Sequence, residues 1–246
     1  MPPRAIVKFG STSAILLVAE HLQHPTVYQQ ELIDVFSPGG PEALIKVAQS
    51  WREDLRRRGI EALAAGGEAI RRNAGLEARL RALFPHWWHL TGDVEGRLAW
   101  IAVKAADSLV DGVVDIGGGS TEIITADGTW SFSIGAARFT ETHVSWPPLT
   151  DIVHPAFIGG TAVSLARWAG RDRLTLREVR AMQQALQADP QQFREWSPLR
   201  RRILPQGLAI LAQVLEHGGW PTFTVSTRGL TEGLWLAASL GRVHPS

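Results

Sequence analysis

The sequence contains no cysteine, which excludes disulfides, thiolate catalysis and any zinc site built on sulfur. It also lacks any stretch close to the roughly 20 uninterrupted apolar residues that a membrane span requires. Its first residues, MPPRAIVKFG, carry no signal-peptide pattern. These absences lead to the expectation of a cytoplasmic protein with no membrane partner. Neither sign of charge is in excess. A formal net charge of +1 argues against nucleic-acid binding driven by bulk charge, double-stranded nucleic acid included. Lysine is scarce, with Lys8, Lys46 and Lys104 the only ones, and arginine supplies the remaining basic charge. The GxSxG elbow of serine hydrolases and the HExxH metalloprotease motif are both missing. What is present is an ordinary globular balance, 246 residues with 45% hydrophobic and 20% charged. At about 150 residues per domain this is one or two domains, long enough to bury a core.

An internal echo organises the chain. Residues 5–19 read AIVKFGSTSAILLVA and residues 112–126 read GVVDIGGGSTEIITA. Each is a β-branched run, a Gly/Ser-rich turn and a second β-rich run, the pattern of a strand–turn–strand hairpin. Superposing them sets Lys8 opposite Asp115, Gly10 opposite Gly117 and Ile15 opposite Glu122. Helical material follows both hairpins. Pro41 opens a run that stops at Gly59, a second run spans Gly67 to Leu83, and a third begins near Asp93. The second half predicts a short helix from Gly135, one over Thr161–Trp168 and one over Leu176–Ala188, the last with a Thr175/Glu178 capping box. A long helix kinked near Pro205, a short strand TFTVS and a helix from Thr231 complete the chain. Two β-rich starts, each followed by helices, predict a duplicated α/β architecture with a cleft between halves and a boundary at the Ala-Asp-Gly turn, so that residues 1–126 and 127–246 form the two domains.

The segment from Asp115 to Glu122, DIGGGSTE, is the sharpest local signal. Gly117, Gly118 and Gly119 let the backbone approach a ligand and gather N–H groups into a concavity suited to phosphate, with the Ser120 and Thr121 hydroxyls as further donors. Asp115 and Glu122 at its ends can hold Mg²⁺ or orient a water. No lysine follows and no helix opens there, so it is neither a Walker A loop nor a dinucleotide fingerprint. Gly10, Ser11, Thr12 and Ser13 form the matching turn of the other half, able to grip a second phosphate, although a Ser/Thr turn suits any hairpin. Glu95 falls in the first turn of a predicted helix, where acids are common and where one can also serve as a base. Arg71 and Arg138 lie in predicted helical runs near glycine, and either can clamp phosphate or sit on a solvated face. The triplets Arg56–Arg58 and Arg200–Arg202 could line a polyanion path, although such runs are more often solvated helix faces. His86 and His89 flank a tryptophan pair and lack a third ligand, and most of the ten tryptophans read as core or interface.

Taken in chain order, these motifs resemble the exopolyphosphatase and guanosine pentaphosphate phosphohydrolase family, within the actin-like, sugar-kinase-like ATPase superfamily. The resemblance rests on the GSTS turn, GGEAIRRNAG with Arg71, TGDVEGRL with Glu95, DIGGGSTE, SIGAARFTE with Arg138, GGTA at Gly159–Ala162, ILPQGLAIL around Pro205 and STRGLTEG at 226–233. It implies two ribonuclease H-like domains and the release of terminal phosphate from inorganic polyphosphate or guanosine pentaphosphate, with Mg²⁺ and a Glu-activated water. By motif, Glu95 would be the general base, Asp115 and Glu122 the acids that hold metal or water, and Arg71 the group that stabilises charge on the transferring phosphoryl. Gly10, Ser11, Thr12, Ser13, the turn from Gly117 to Thr121 and Arg138 would bind phosphate. The resemblance also implies a homodimer, guanosine tetraphosphate as a further ligand, and only the two-domain core of longer members.

The sequence departs from the family pattern at one informative place. Where the family carries Asp before the first glycine turn and Arg after it, this chain carries Lys8 and Ile15. Gly67 and Glu68 also stand where small hydroxyl residues are usual. A phosphate-contacting Lys8 with slow or metal-light hydrolysis is one expectation. A non-catalytic sensor of polyphosphate, alarmone or nucleotide is the other.

Overall fold

The computed structural model describes residues 4–22, 24–138 and 144–240. The chain divides into two units, Met1–Ala99 with Leu230–Ser246, and Trp100–Gly229.

In the first unit β1 (Arg4–Phe9), β2 (Ser13–Ala19) and β3 (Val27–Leu32) form an antiparallel meander. Helix α1 (Gly40–Arg57) crosses to β4 (Ala62–Gly66), which pairs parallel with β1. Then come α2 (Glu68–Arg71), α3 (Ala74–Leu83), β5 (Trp87–Trp88) and α4 (Gly92–Ala106). The sheet order is β3-β2-β1-β4-β5. Proline in the first turn and Glu42 suit the start of α1, and Gly59, at φ 65°, ends it. Its buried Leu44, Ile45, Ala48, Trp51 and Leu55 recur at helical spacing.

Side-chain alternation in β1 decides what faces what. Ala5, Val7 and Phe9 join Ala14, Leu16 and Val18 of β2 in a core shared with α1 and α3. Ile6, Leu17, Ala19 and Ala65 line the other face, against Leu98 of α4 and Leu230, Leu234 and Trp235. By the same period of two, Lys8 and Ile15 belong to this second face.

The second unit repeats the plan with β6 (Gly112–Ile116), β7 (Thr121–Ile124) and β8 (Thr129–Phe132), followed by β9 (Pro155–Ile158) parallel to β6. Next are α5 (Gly159–Ala169), β10 (Arg173–Leu174), α6 (Leu176–Ala188), α7 (Pro198–Gly218) and β11 (Phe223–Val225). Its order, β10-β11-β9-β6-β7-β8, read from the meander edge, matches that of the first sheet with β10 added at the far edge. The closing helix α8 (Leu230–Ser239) belongs to the first unit. This is the duplicated α/β fold, two mixed sheets with helices, that the internal echo predicts.

Four expectations are corrected. The division falls at Ala99, not at residue 126, because β8 pairs with β7 and a cut at 126 would pass between two strands of one sheet. The C-terminal helix returns to the first unit instead of finishing the second. The run from Gly67 to Leu83 is two helices, since Asn73 stops to cap α3 by accepting from Leu76 N–H at 3.1 Å. The residues after Gly135 form a turn bridged to Arg138, not a helix. Helix α7 continues through Pro205, which is exposed. No described helix is long and apolar enough to cross a membrane.

Candidate functional site

The two hairpins carry the same register. Lys8 pairs with Ile15 across β1 and β2, and Asp115 pairs with Glu122 across β6 and β7. Each turn is closed by the same bond, from Gly10 N–H to Ser13 O at 2.7 Å and from Gly117 N–H to Ser120 O at 3.0 Å. In both, backbone neighbours occupy the turn carbonyls. Phe9, Ser11 and Thr12 oxygens accept from Gly67, Val35 and Ile33 N–H at 2.8, 2.9 and 3.1 Å. Gly117 and Gly118 oxygens accept from Ala136 and Ala137 N–H at 2.9 and 2.8 Å. With most of their carbonyls engaged, these turns leave N–H groups and hydroxyls to face a ligand, which is the character an anion requires.

In the first unit the candidate residues converge on two buried glycines. A Cβ on Gly67 would stand 3.7 Å from Glu95 Oε2 and 4.0 Å from Gly10 Cα. A Cβ on Gly10 would stand 2.8 Å from the Lys8 ammonium. The Glu95 carboxylate comes from the first turn of α4 and is ion-paired with Arg71, from the last residue of α2. Arg71 Nη1 also donates to Gly66 O at 3.1 Å, which ties the pair to the end of β4. Lys8, Arg71 and Glu95 are therefore brought together around Gly10 and Gly67. Ser11, Thr12 and Ser13 are half-buried beside them.

In the second unit Asp115 and Glu122 stand directly opposite one another, on the sheet face away from the Val114, Ile116 and Ile123 core. Glu122 Oε1 accepts from Ser131 Oγ at 3.2 Å. A Cβ on Gly159, whose φ is 87°, would stand 2.8 Å from Asp115 Oδ1, so the start of α5 leaves room for that carboxylate only as glycine. Gly135 presses on the turn as closely, with its missing Cβ at 2.5 Å from Gly118 C. Arg138 is exposed in the bridged turn after it, and the last residues of SIGAARFTE, 139–141, lie outside the described residues.

Thr121 does not fit its expected role. It is fully buried, and its hydroxyl donates to Ile134 O at 2.9 Å. It shares the core-facing side of β7 with Ile123, whereas Ser120 and Glu122 alternate to the other side. His86 and His89 flank a two-residue strand, paired with Glu61 at 3.2 Å and Glu77 at 3.6 Å. Among the described residues no group of three or more His, Asp or Glu is arranged to hold a metal. Two opposed carboxylates nevertheless suit Mg²⁺, which is commonly bound by one or two carboxylates plus substrate phosphate.

Sequence reasoning missed Arg200. Its guanidinium packs over Gly160 in the first turn of α5, with Nη2 2.3 Å from where a Cβ would be. Burial, with a smaller push from Arg167, holds its pKa below the ordinary guanidinium value. Its place in an arginine triplet disguised it, and only the neighbouring GG pair hinted at a close approach.

No family model and no curated protein matches the sequence. Solved structures do. The chain is similar to an Aquifex aeolicus member of the Ppx/GppA protein family, with 22% identity over 99% of each chain and a TM-score of 0.74. It is similar to an exopolyphosphatase from Cytophaga hutchinsonii, with 17% identity over 97% of this chain and 98% of that one and a TM-score of 0.81. A third, an exopolyphosphatase-like protein, shares 18% identity over 96% and 97% with a TM-score of 0.80. The family resemblance read from the motifs is thus met by full-length likeness of fold.

Proposed function

We propose that the chain is a phosphoanhydride hydrolase that releases terminal phosphate from inorganic polyphosphate or guanosine pentaphosphate. The observation that carries this reading is the Glu95–Arg71 pair set against Gly10 and Gly67, beside a turn most of whose carbonyls are engaged. Glu95 takes a proton from a water, and that water attacks the terminal phosphorus. The phosphoanhydride P–O bond breaks with its electron pair on the leaving phosphate. Arg71 swings its guanidinium toward the phosphoryl oxygens as charge builds there. Within the second unit the donor-rich turn at Gly117–Ser120 would bind phosphate in its own right. Asp115 and Glu122 would hold Mg²⁺, which supplies charge neutralisation on phosphate oxygens when bound.

The test is phosphate release from polyphosphate and from guanosine pentaphosphate, with Mg²⁺ titrated and Glu95→Gln as comparison. Loss of a general base should lower turnover by about 10²–10⁴-fold. No release by folded wild-type protein above the Glu95→Gln level would sink the hydrolase.

A second reading has its own support. Lys8 and Ile15 occupy the positions at which the other hairpin carries Asp115 and Glu122, so one half lacks both acids. On that ground the chain is a non-catalytic binder of polyphosphate, guanosine tetra- or pentaphosphate, or nucleotide. Tight binding without release in the same assay would select it. A cytoplasmic location and a homodimer remain part of the proposal, to be checked by fractionation and by light scattering.

A further inference from the structure

The two hairpins are copies of one another in register and in closing bond, and opposite in charge. At the position where the second unit has Asp115 facing Glu122, the first has Lys8 facing Ile15. The exchange takes one strand pair from two carboxylates, which suit a cation, to a single ammonium, which suits an anion. Within the first unit the ammonium lies against Gly10, on the side a Cβ would fill, 2.8 Å from that point. Lys8 is half-buried and makes no ion pair among the described residues. The turn carbonyls that might have solvated it are taken by Gly67, Val35, Ile33 and Gly10 N–H groups. A cation placed beside backbone donors, with most of the turn carbonyls engaged, suits an anion from outside.

We propose that Lys8 makes the first turn an anion site that works without metal: its ammonium takes a phosphoryl oxygen of a phosphoanhydride chain, and the Ser11 and Thr12 groups take the rest. The counterpart position at Asp115 works through a cation, and Lys8 is that cation built into the chain. This rests on the phosphate-ligand reading of the fold but not on hydrolysis. At rest Arg71 holds Glu95 and Gly66 O, so the Lys8 ammonium meets the ligand before any movement of Arg71.

The experiment is calorimetric titration of the full chain with inorganic tripolyphosphate in excess EDTA. The wild type should bind. Lys8→Met should bind at least tenfold more weakly, and Lys8→Arg should retain most of the affinity. Circular dichroism melts would check that each variant is folded. If Lys8→Met proves unstable, a second measurement needs no variant: tripolyphosphate in EDTA should slow reductive methylation of Lys8 more than that of Lys46 or Lys104. Equal affinity of wild type and folded Lys8→Met, or unprotected Lys8 under saturating ligand, would overturn the proposal. Mg²⁺-dependent release with Lys8→Met binding unchanged would remove this inference alone. Metal-free binding through Lys8 with no release would remove the hydrolase and leave this inference standing.

Discussion

At the scale of single residues, the chemistry proposed for the first unit turns on the Arg71–Glu95 pair. Both side chains are only about a quarter exposed, at 26% and 21%, so the pair is neither a screened surface bridge nor a sealed one. Arg71 fixes the carboxylate beside Gly67, and in the proposed mechanism the same guanidinium moves to a phosphoryl oxygen. Arg71→Met should therefore cut phosphate release by about 10²–10³-fold, the usual loss for one donor to a developing charge. Its effect on stability should stay within about 1 kcal/mol, as for partly exposed pairs. Turnover and melting fall together only if Arg71 is structural. These residues were legible because each lies in a short stretch whose chemistry is local. Lys8, Glu95 and Asp115 stand out by charge next to glycine. Thr121 and Arg200 were not legible. Which side of β7 a hydroxyl faces, and whether one arginine of a triplet is covered, depend on elements far away in sequence.

Secondary elements were readable where local signals agree. The α6 boundaries, Leu176–Ala188, follow from a capping box that the structure realises: Glu178 accepts from Thr175 N–H at 2.9 Å and from the Thr175 hydroxyl. That hydroxyl is the largest cause of a Glu178 pKa lowered from 4.5 to about 2, with the Thr175 N–H and Arg171 adding to it against desolvation. A carboxyl whose pKa is lower in the folded state stabilises above its unfolded value. The contribution is complete above 4.5 and disappears as pH falls toward about 2. Thr175→Ala should cost about 1 kcal/mol at neutral pH. In urea melts taken from pH 6 to 2, the gap between wild type and variant should narrow across that acid window. A gap constant with pH would mean that Glu178 is not coupled to the cap. Two of the strands that were missed share a different trait. β4, ALAAG, and β9, PAFI, are short, and β4 is made of residues that rarely favour strands. Each sits inside a sheet beside β1 or β6, and it is that parallel neighbour, not local propensity, that makes them strands.

The whole chain shows why a duplicated sequence pattern does not mark its own boundary. The hairpins announce two sheets, and their shared strand order follows from the echo. The end of a sheet is announced by nothing, because β8 and β3 are edge strands with weak patterns. Nor does the sequence say that α8 returns to the first unit. It does so because Leu230, Leu234 and Trp235 complete the core behind Ile6, Leu17 and Ala65, the same face on which Lys8 lies. Trp235 is 8% exposed, and its indole N–H donates to Ala19 O at 3.0 Å, at the end of β2. Trp235→Ala should cost about 3–5 kcal/mol, from lost burial plus the cavity left behind. In a chain of two units that cost need not spread evenly, since cooperative units open separately. Hydrogen exchange read by mass spectrometry should show β1 and β2, at the N-terminal end of the chain, losing protection in Trp235→Ala. The strands β6, β7 and β9, nearer in sequence to the substitution, should keep theirs. Loss confined to β6, β7 and β9 would return α8 to the second unit, and with it the boundary that the sequence suggested.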